Sequence, residues 1–143
     1  MAHCGYSAYQ EAHAHELDQA KLILMMFAGS INYLNKVLEI AENDHSETGR
    51  LVNKTKNIIL ELISSLNMNE SGEMGEILLR TYRGLYVKLN TAYFRNDLLS
   101  VAEVRDSLVE LEDAWKKVFR STEYQDFKKD RERFRKKYHG FKG

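Results

Sequence analysis

Seven consecutive apolar residues, Leu22-Ile23-Leu24-Met25-Met26-Phe27-Ala28, constrain this chain more than any other stretch. They sit in a segment of helical composition and spacing. At about 3.6 residues per turn, seven positions cover the full circumference of a helix. A bundle helix ordinarily buries a stripe of roughly 100° and keeps a polar back. This helix has no polar back, so it is either enclosed on every side or keeps one face for a partner.

The surrounding sequence supports helices throughout. Proline is absent, glycines number 8 in 143 residues, and Leu, Glu, Lys and Ala are abundant. No strand-like alternation is evident. The length suits one domain with one core. No apolar run approaches the roughly 20 residues that span a bilayer. Glu16 and Asp18, ahead of the apolar run, replace the basic region a signal peptide would carry. A lone cysteine, Cys4, allows no internal disulfide and suits a reducing cytoplasm.

Four long helices are expected. The first runs from a cap at Asp18 to about Glu42 and carries two apolar stripes. One is Leu22, Met26, Gly29, Tyr33, Val37 and Ile40; the other is Ile23, Phe27, Ile31, Leu34, Leu38 and Ala41. The second spans roughly Glu47 to Leu66 and becomes unusually apolar from Ile58 onward. Asn67–Gly72 reads as a loop. The third helix follows to Tyr93 or Phe94, with the stripe Met74, Leu78, Tyr82, Leu85, Leu89 and Ala92. Asn96-Asp97 marks a tight turn. The fourth has the cleanest seam: Val101, Val104, Leu108, Leu111, Trp115 and Val118. Short connections favour an all-α, antiparallel up-down four-helix bundle.

The division is then a short N-terminal segment over 1–16, a bundle over 17–120, and a basic C-terminal extension over 121–143. From Lys116 onward there are 11 Lys/Arg against 4 Asp/Glu, so the formally neutral chain is an acidic body with a basic tail. In the tail, Phe127, Arg131, Phe134 and Tyr138 fall on one helical face among Lys and Arg. Residues 121–143 read as a fifth helix, a basic arm or a surface for something anionic.

Chemistry is sparse. There is no Gly-rich phosphate loop and no G-x-S-x-G motif. His3, Cys4, His13 and His15 lack ligand spacing, and Glu42-x-x-His45 is the lone Glu-x-x-His pair, unrepeated. No enzyme activity, metal or cofactor is expected. Excess apolar surface on the first three helices instead suits a protein whose groove takes an amphipathic helix. The expected lining is Ile23, Met26, Phe27, Ile31, Ile59, Ile63, Leu66, Met74, Ile77 and Tyr82, with Leu108, Leu111 and Trp115 assigned to the core. Tyr6 and Tyr9 would fold over the groove as a self-cap. Tighter mutual packing or self-association remains the alternative, as does a bundle that regulates some other helix.

Several stretches in order resemble the flagellin export chaperone family, FliS. Tyr9-Gln10 comes first. Leu22-Ile23-Leu24-Met25-Met26-Phe27-Ala28-Gly29 is similar to that family's Leu-Ile-x-Met-Leu-Tyr/Phe-Asp-Gly. Ile58–Asn67 resembles its second-helix end, and Glu70-Ser71-Gly72-Glu73-Met74 its Glu-x-Gly-Gly-Glu-Ile loop. Tyr82, Arg95-Asn96-Asp97 and Asp113-Ala114-Trp115-Lys116 complete the series. Asp18-Gln19 replaces the family's Ser-Pro, Ala28 its Asp and Gly84 its second Tyr, and the basic tail is longer.

The resemblance implies a cytoplasmic chaperone that binds the C-terminal region of flagellin. It would prevent premature polymerisation and deliver flagellin to the flagellar type III export apparatus, with export-gate components as further partners. Neither nucleic-acid binding nor membrane insertion is implied. Monomer and homodimer both remain open.

Overall fold

The computed structural model describes residues 19–66 and 68–139 of the chain. Its helices are α1 (Gln19–Ile40), α2 (His45–Ser64), α3 (Met68–Arg95), α4 (Leu98–Arg120) and α5 (Thr122–His139). No strand occurs among the described residues. Met25–Glu112 form one compact unit, which holds the bundle. The described residues before Met25 and from Asp113 onward belong to a second. Asp18, Tyr6 and Tyr9 lie outside the described residues.

Within the larger unit, cross-helix pairs define the helix directions. Tyr33 of α1 lies beside Lys54 of α2, whose ammonium is 5.6 Å from the ring centroid. Four residues earlier, Gly29 faces Ile58, four residues later on α2. Numbers that fall on one helix as they rise on the other mean antiparallel packing. The α2–α3 pair repeats it: Gly49 lies against Tyr93, and Lys56 donates to Asn90 at 2.8 Å. Lys88 of α3 pairs with Glu103 of α4, and Arg105 of α4 donates to Asn35 of α1 at 3.1 Å. Phe27 and Tyr82, with ring centroids 6.4 Å apart, join α1 and α3. The result is an antiparallel four-helix bundle.

Its core is the sum of one stripe per helix. Phe27, Leu34 and Val37 come from α1, Leu51, Ile59 and Leu62 from α2, Tyr82, Leu85 and Leu89 from α3, and Val101, Val104 and Leu108 from α4. Each side chain fully buried in this way contributes about 1.5–3 kcal/mol relative to exposure. Ser30, Thr48 and Thr55 are buried polar groups, but none is orphaned. Their hydroxyls donate to the carbonyls of Phe27, Asp44 and Leu51 at 2.8, 2.7 and 2.9 Å. Satisfying these donors inside the helix removes the desolvation penalty that an unpaired hydroxyl would carry.

The helix ends show why the chain turns where it does. α1 stops at Ile40, and Asp44 opens α2 rather than closing α1, one turn ahead of the expected start at Glu47. Its carboxylate accepts the Glu47 amide at 3.0 Å, satisfying a free donor of the first turn. At the same end of the bundle, Asn96 adopts φ 53°, a left-handed conformation that asparagine tolerates better than most residues. The amides of Asn96 and Asp97 return to the carbonyls of Tyr93 and Ala92, a Schellman closure of α3. Asp97 then caps α4 by accepting from the Ser100 amide at 3.1 Å and its hydroxyl at 2.7 Å.

The expected loop at 67–72 is shorter than its composition suggests. Met68–Ser71 already form a helical turn, and Gly72 alone breaks the path at φ 56°, ψ −132°. Only glycine adopts that combination without a steric penalty. In the smaller unit, Trp115 stacks on Phe119 with centroids 5.3 Å apart, and Phe119 meets Tyr124 at 5.2 Å. Ser121 caps α5, its hydroxyl accepting from the Tyr124 amide at 3.2 Å. Residues 122–139 of the basic tail are thus a fifth helix whose first turn is pinned to the end of α4.

Candidate functional site: an outward apolar stripe on α3

The apolar run that opens α1 separates into faces once folded. Ile23 and Phe27 are buried, whereas Met25 is 60 % exposed and Leu22 lies at the surface. Of the expected groove residues, Phe27, Ile59 and Tyr82 are fully enclosed, and Ile23 is buried. Met26, Ile31, Ile63 and Leu66 are half-buried. Met74 and Ile77 are the two that stand out into solvent, at 62 % and 51 % exposure. The structure therefore does not gather all ten on one surface. The enclosed members hold the bundle together; of the two exposed ones, Met74 continues the line of the inner stripe, and Ile77 begins a different surface.

That surface is the outer face of α3. Glu73, Ile77, Arg80, Gly84, Val87, Thr91 and Phe94 succeed one another at spacings of four and three residues, and every one is exposed. This is the seam spacing of a helix that packs on another helix. Val87 is 62 % exposed and Phe94 74 %. On the opposite side of α3, Tyr82, Leu85, Leu89 and Ala92 are buried. One helix thus carries two seams, one filled by the bundle and one open. Leu60, on the neighbouring α2, adds further exposed apolar surface.

Gly84 lies in the middle of the open seam. A Cβ placed on it would meet nothing within 4 Å. The glycine is therefore not demanded by crowding or by an unusual backbone. A helix-interior glycine costs roughly 0.5–1 kcal/mol relative to alanine. Its effect here is a gap between the exposed side chains of Ile77 and Val87.

Charge along the seam is ordered. Glu73 and Glu76 lie at its start; Arg80, Arg83 and Arg95 lie further on. All five are exposed, and Lys88 is already paired with Glu103. A helix with acidic residues early and basic residues late, the arrangement favoured by the helix dipole, complements this order when it docks antiparallel. The resolved ionisation shifts belong to caps and surface pairs: hydrogen bonding from Arg50 lowers the Glu47 pKa, and hydrogen bonds from Ser100 lower that of Asp97. Among the described residues, no group of three or more His, Cys, Asp or Glu side chains could hold a metal, and no helix is long and apolar enough to cross a membrane. A pocket at the far end of the bundle, where Val37, Val52, Ala92 and Val101 converge, offers only His45, Thr48, Tyr93 and Asn96 as polar groups.

The sequence reading did not single out Gly84, Val87 and Phe94 because it extended the stripes that define the core. The signal was available: 77, 84, 87, 91 and 94 keep seam spacing on the side of α3 away from Tyr82, Leu85 and Leu89.

The fold and this surface define a class: an antiparallel helical bundle whose third helix turns Ile77, Val87 and Phe94 outward. The chain belongs to the FliS family: the family described as flagellar protein FliS matches residues 1–122. A flagellar secretion chaperone FliS of Bacillus subtilis is 32 % identical over 119 residues, covering 81 % of this chain and 86 % of that protein. A flagellar secretion chaperone FliS of Campylobacter jejuni is 27 % identical over 114 residues, covering 79 % and 89 %.

Proposed function

We propose that this protein is a cytoplasmic flagellar export chaperone whose open α3 seam receives an amphipathic helix from the C-terminal region of flagellin. Family membership supplies the flagellar setting. The observation that carries the binding mode is the exposed series Ile77, Gly84, Val87 and Phe94 on a helix whose other face is already packed. Met25, Leu60 and Met74 extend the apolar area available to a ligand that wraps the bundle. Met25 and Met74 suit this task, because the unbranched thioether adapts to different packing partners.

The mechanism is protection by coverage. An amphipathic segment that is unfolded outside its assembly exposes an apolar face and pairs with its own kind. Docked on α3, that face is withdrawn from water, and the segment folds as it binds. The ordering entropy it loses moderates the affinity, which favours later release. Delivery to the export apparatus, with export-gate components as further partners, follows from the same reading. So does a resting state in which Tyr6 and Tyr9 cover part of the apolar surface.

Titration calorimetry with the last 40–60 residues of flagellin from the same cell, a length of about 60–90 Å as helix, tests the reading. A one-to-one complex with a strongly negative heat-capacity change is expected. Absence of binding below millimolar concentration overturns it. Faster association after deletion of residues 1–16 supports the self-cap, and an unchanged or slower rate removes it.

A further inference from the structure

The family match ends at residue 122, yet an ordered helix follows. α5 is not a uniform basic rod. Its acidic residues, Glu123, Asp126, Asp130 and Glu132, all precede Arg133. From Arg133 to His139 the sequence is Arg-Phe-Arg-Lys-Lys-Tyr-His, with four cations and no acid. Asp130 reaches Arg133 only at 3.9 Å, between two largely exposed side chains, and such a pair neutralises little. In the midst of these cations Phe134 is 63 % exposed.

The attachment of α5 explains how this end is presented. The Phe119–Tyr124 contact, the Ser121 cap and a 2.7 Å hydrogen bond from Gln125 Nε2 to the Phe119 carbonyl all fall in its first turn. The cationic half begins two turns further along. The sequence places aromatic residues at 127, 134 and 138, a spacing that repeats on one side of a helix. Basic residues around an aromatic stripe are the composition of a helix that lies in the interface of an anionic bilayer. There the rings enter the headgroup boundary and long Lys and Arg chains keep their charges at the lipid phosphates.

We infer that the C-terminal half of α5 is a peripheral docking element for a membrane surface rich in anionic lipid, with Phe134 on the contacting side, Arg133, Arg135 and Lys137 flanking it and Lys136 adding to the local positive charge. The inference rests on the secretion reading above in one respect: cargo destined for secretion must be brought to a membrane. Charge complementarity selects the partner's sign. The exposed Phe134 selects an apolar phase over a purely ionic one. A single cluster of this size gives weak, reversible association, which leaves the chaperone free to return for further cargo.

The test is co-sedimentation of the full chain with vesicles of phosphatidylcholine containing about a third phosphatidylglycerol, against pure phosphatidylcholine, at low and physiological salt. Binding only to the anionic vesicles, weakening as salt shortens the screening length, is expected. The triple variant Arg135→Glu, Lys136→Glu, Lys137→Glu should lose the vesicles, and Phe134→Ser should bind about tenfold more weakly at equal charge. Helix content by circular dichroism shows that α5 persists in both. No sedimentation at low salt overturns the inference. An unchanged Phe134→Ser variant overturns it as well, because charge alone would then account for binding. Tighter binding to a 20-residue single-stranded oligonucleotide than to vesicles assigns the surface to nucleic acid instead. Flagellin-segment affinity of the triple variant separates the two readings: unchanged affinity is expected, and a matching loss places α5 in the cargo site and overturns the membrane assignment.

Discussion

The inner and outer faces of α3 have similar grammar and opposite fates. Both run at three- and four-residue spacing along one helix. The inner face, Tyr82, Leu85, Leu89 and Ala92, is closed by the rest of the bundle. The outer face, Ile77, Gly84, Val87, Thr91 and Phe94, is open along its length. Periodicity alone therefore marks a surface that packs on something without saying on what. The separating feature is quality of fill. The inner seam is nearly all large and apolar, whereas the outer one interleaves Arg80, Gly84 and Thr91. A folded core tolerates few such interruptions, but an interface made and broken repeatedly accommodates them.

The contrast is easiest to break with one substitution on each face. Leu89→Ala removes a fully buried side chain and should cost about 2–5 kcal/mol in denaturant unfolding. The folded fraction should still bind the flagellin segment. Phe94→Asp should do the reverse. Its stability should stay within about 0.5 kcal/mol of the parent, because the ring is 74 % exposed. Its affinity for the segment should fall at least about tenfold, or roughly 1.4 kcal/mol, by calorimetry. Unchanged affinity would show that the outer seam is not the cargo face.

Glycines sharpen the comparison at smaller scale. Gly72→Ala imposes a side chain on a backbone that disfavours one and should destabilise by about 1–3 kcal/mol. Gly84→Ala, in open helical surface, should stabilise by about 0.5–1 kcal/mol. Gly84→Tyr fills the gap and should weaken binding of this cell's own flagellin segment without loss of stability. Equal affinity would show that the gap is not used.

The smallest effect is at the Asp97 cap. Hydrogen bonds from the Ser100 hydroxyl and amide lower its pKa below the ordinary 3.8 in the folded state. A depressed carboxyl contributes stability that is present above the unfolded value and lost as pH falls through the folded one. Acid unfolding of Asp97→Asn should therefore be flatter with pH through and below that range than that of the parent, as measured by thermal melts between about pH 5 and pH 2. A parallel pH dependence would remove the cap from the account.

Most of the architecture was legible because helix punctuation is local. The absence of proline, the Asn96-Asp97 turn and the stripe Val101-Val104-Leu108 each report structure a few residues away. Position within the bundle was less legible. Leu22–Ala28 signals too much apolar surface for one core face. The sequence does not say that Phe27 faces Tyr82 while Met25 faces solvent, because that depends on the rotation of α1 against three other helices. The same limit explains the mixed fate of the ten expected groove residues. Asp44 shows the same limit: an acidic residue between two helical segments suits the end of one or the start of the next, and only the bond from the Glu47 amide decides for α2.

The aromatic ladder at the α4–α5 junction has an optical consequence. Trp115 is the chain's one tryptophan, and it stacks on Phe119, which in turn meets Tyr124. Emission excited at the red edge of the absorption band thus comes from a single address, in the smaller unit rather than in the bundle. Far-ultraviolet ellipticity, by contrast, is dominated by the larger unit. The two signals are built-in, label-free gauges of different parts of one molecule. Superimposed melting curves would mean that the two units unfold together. An emission change that precedes the loss of ellipticity would mean that the smaller unit lets go first.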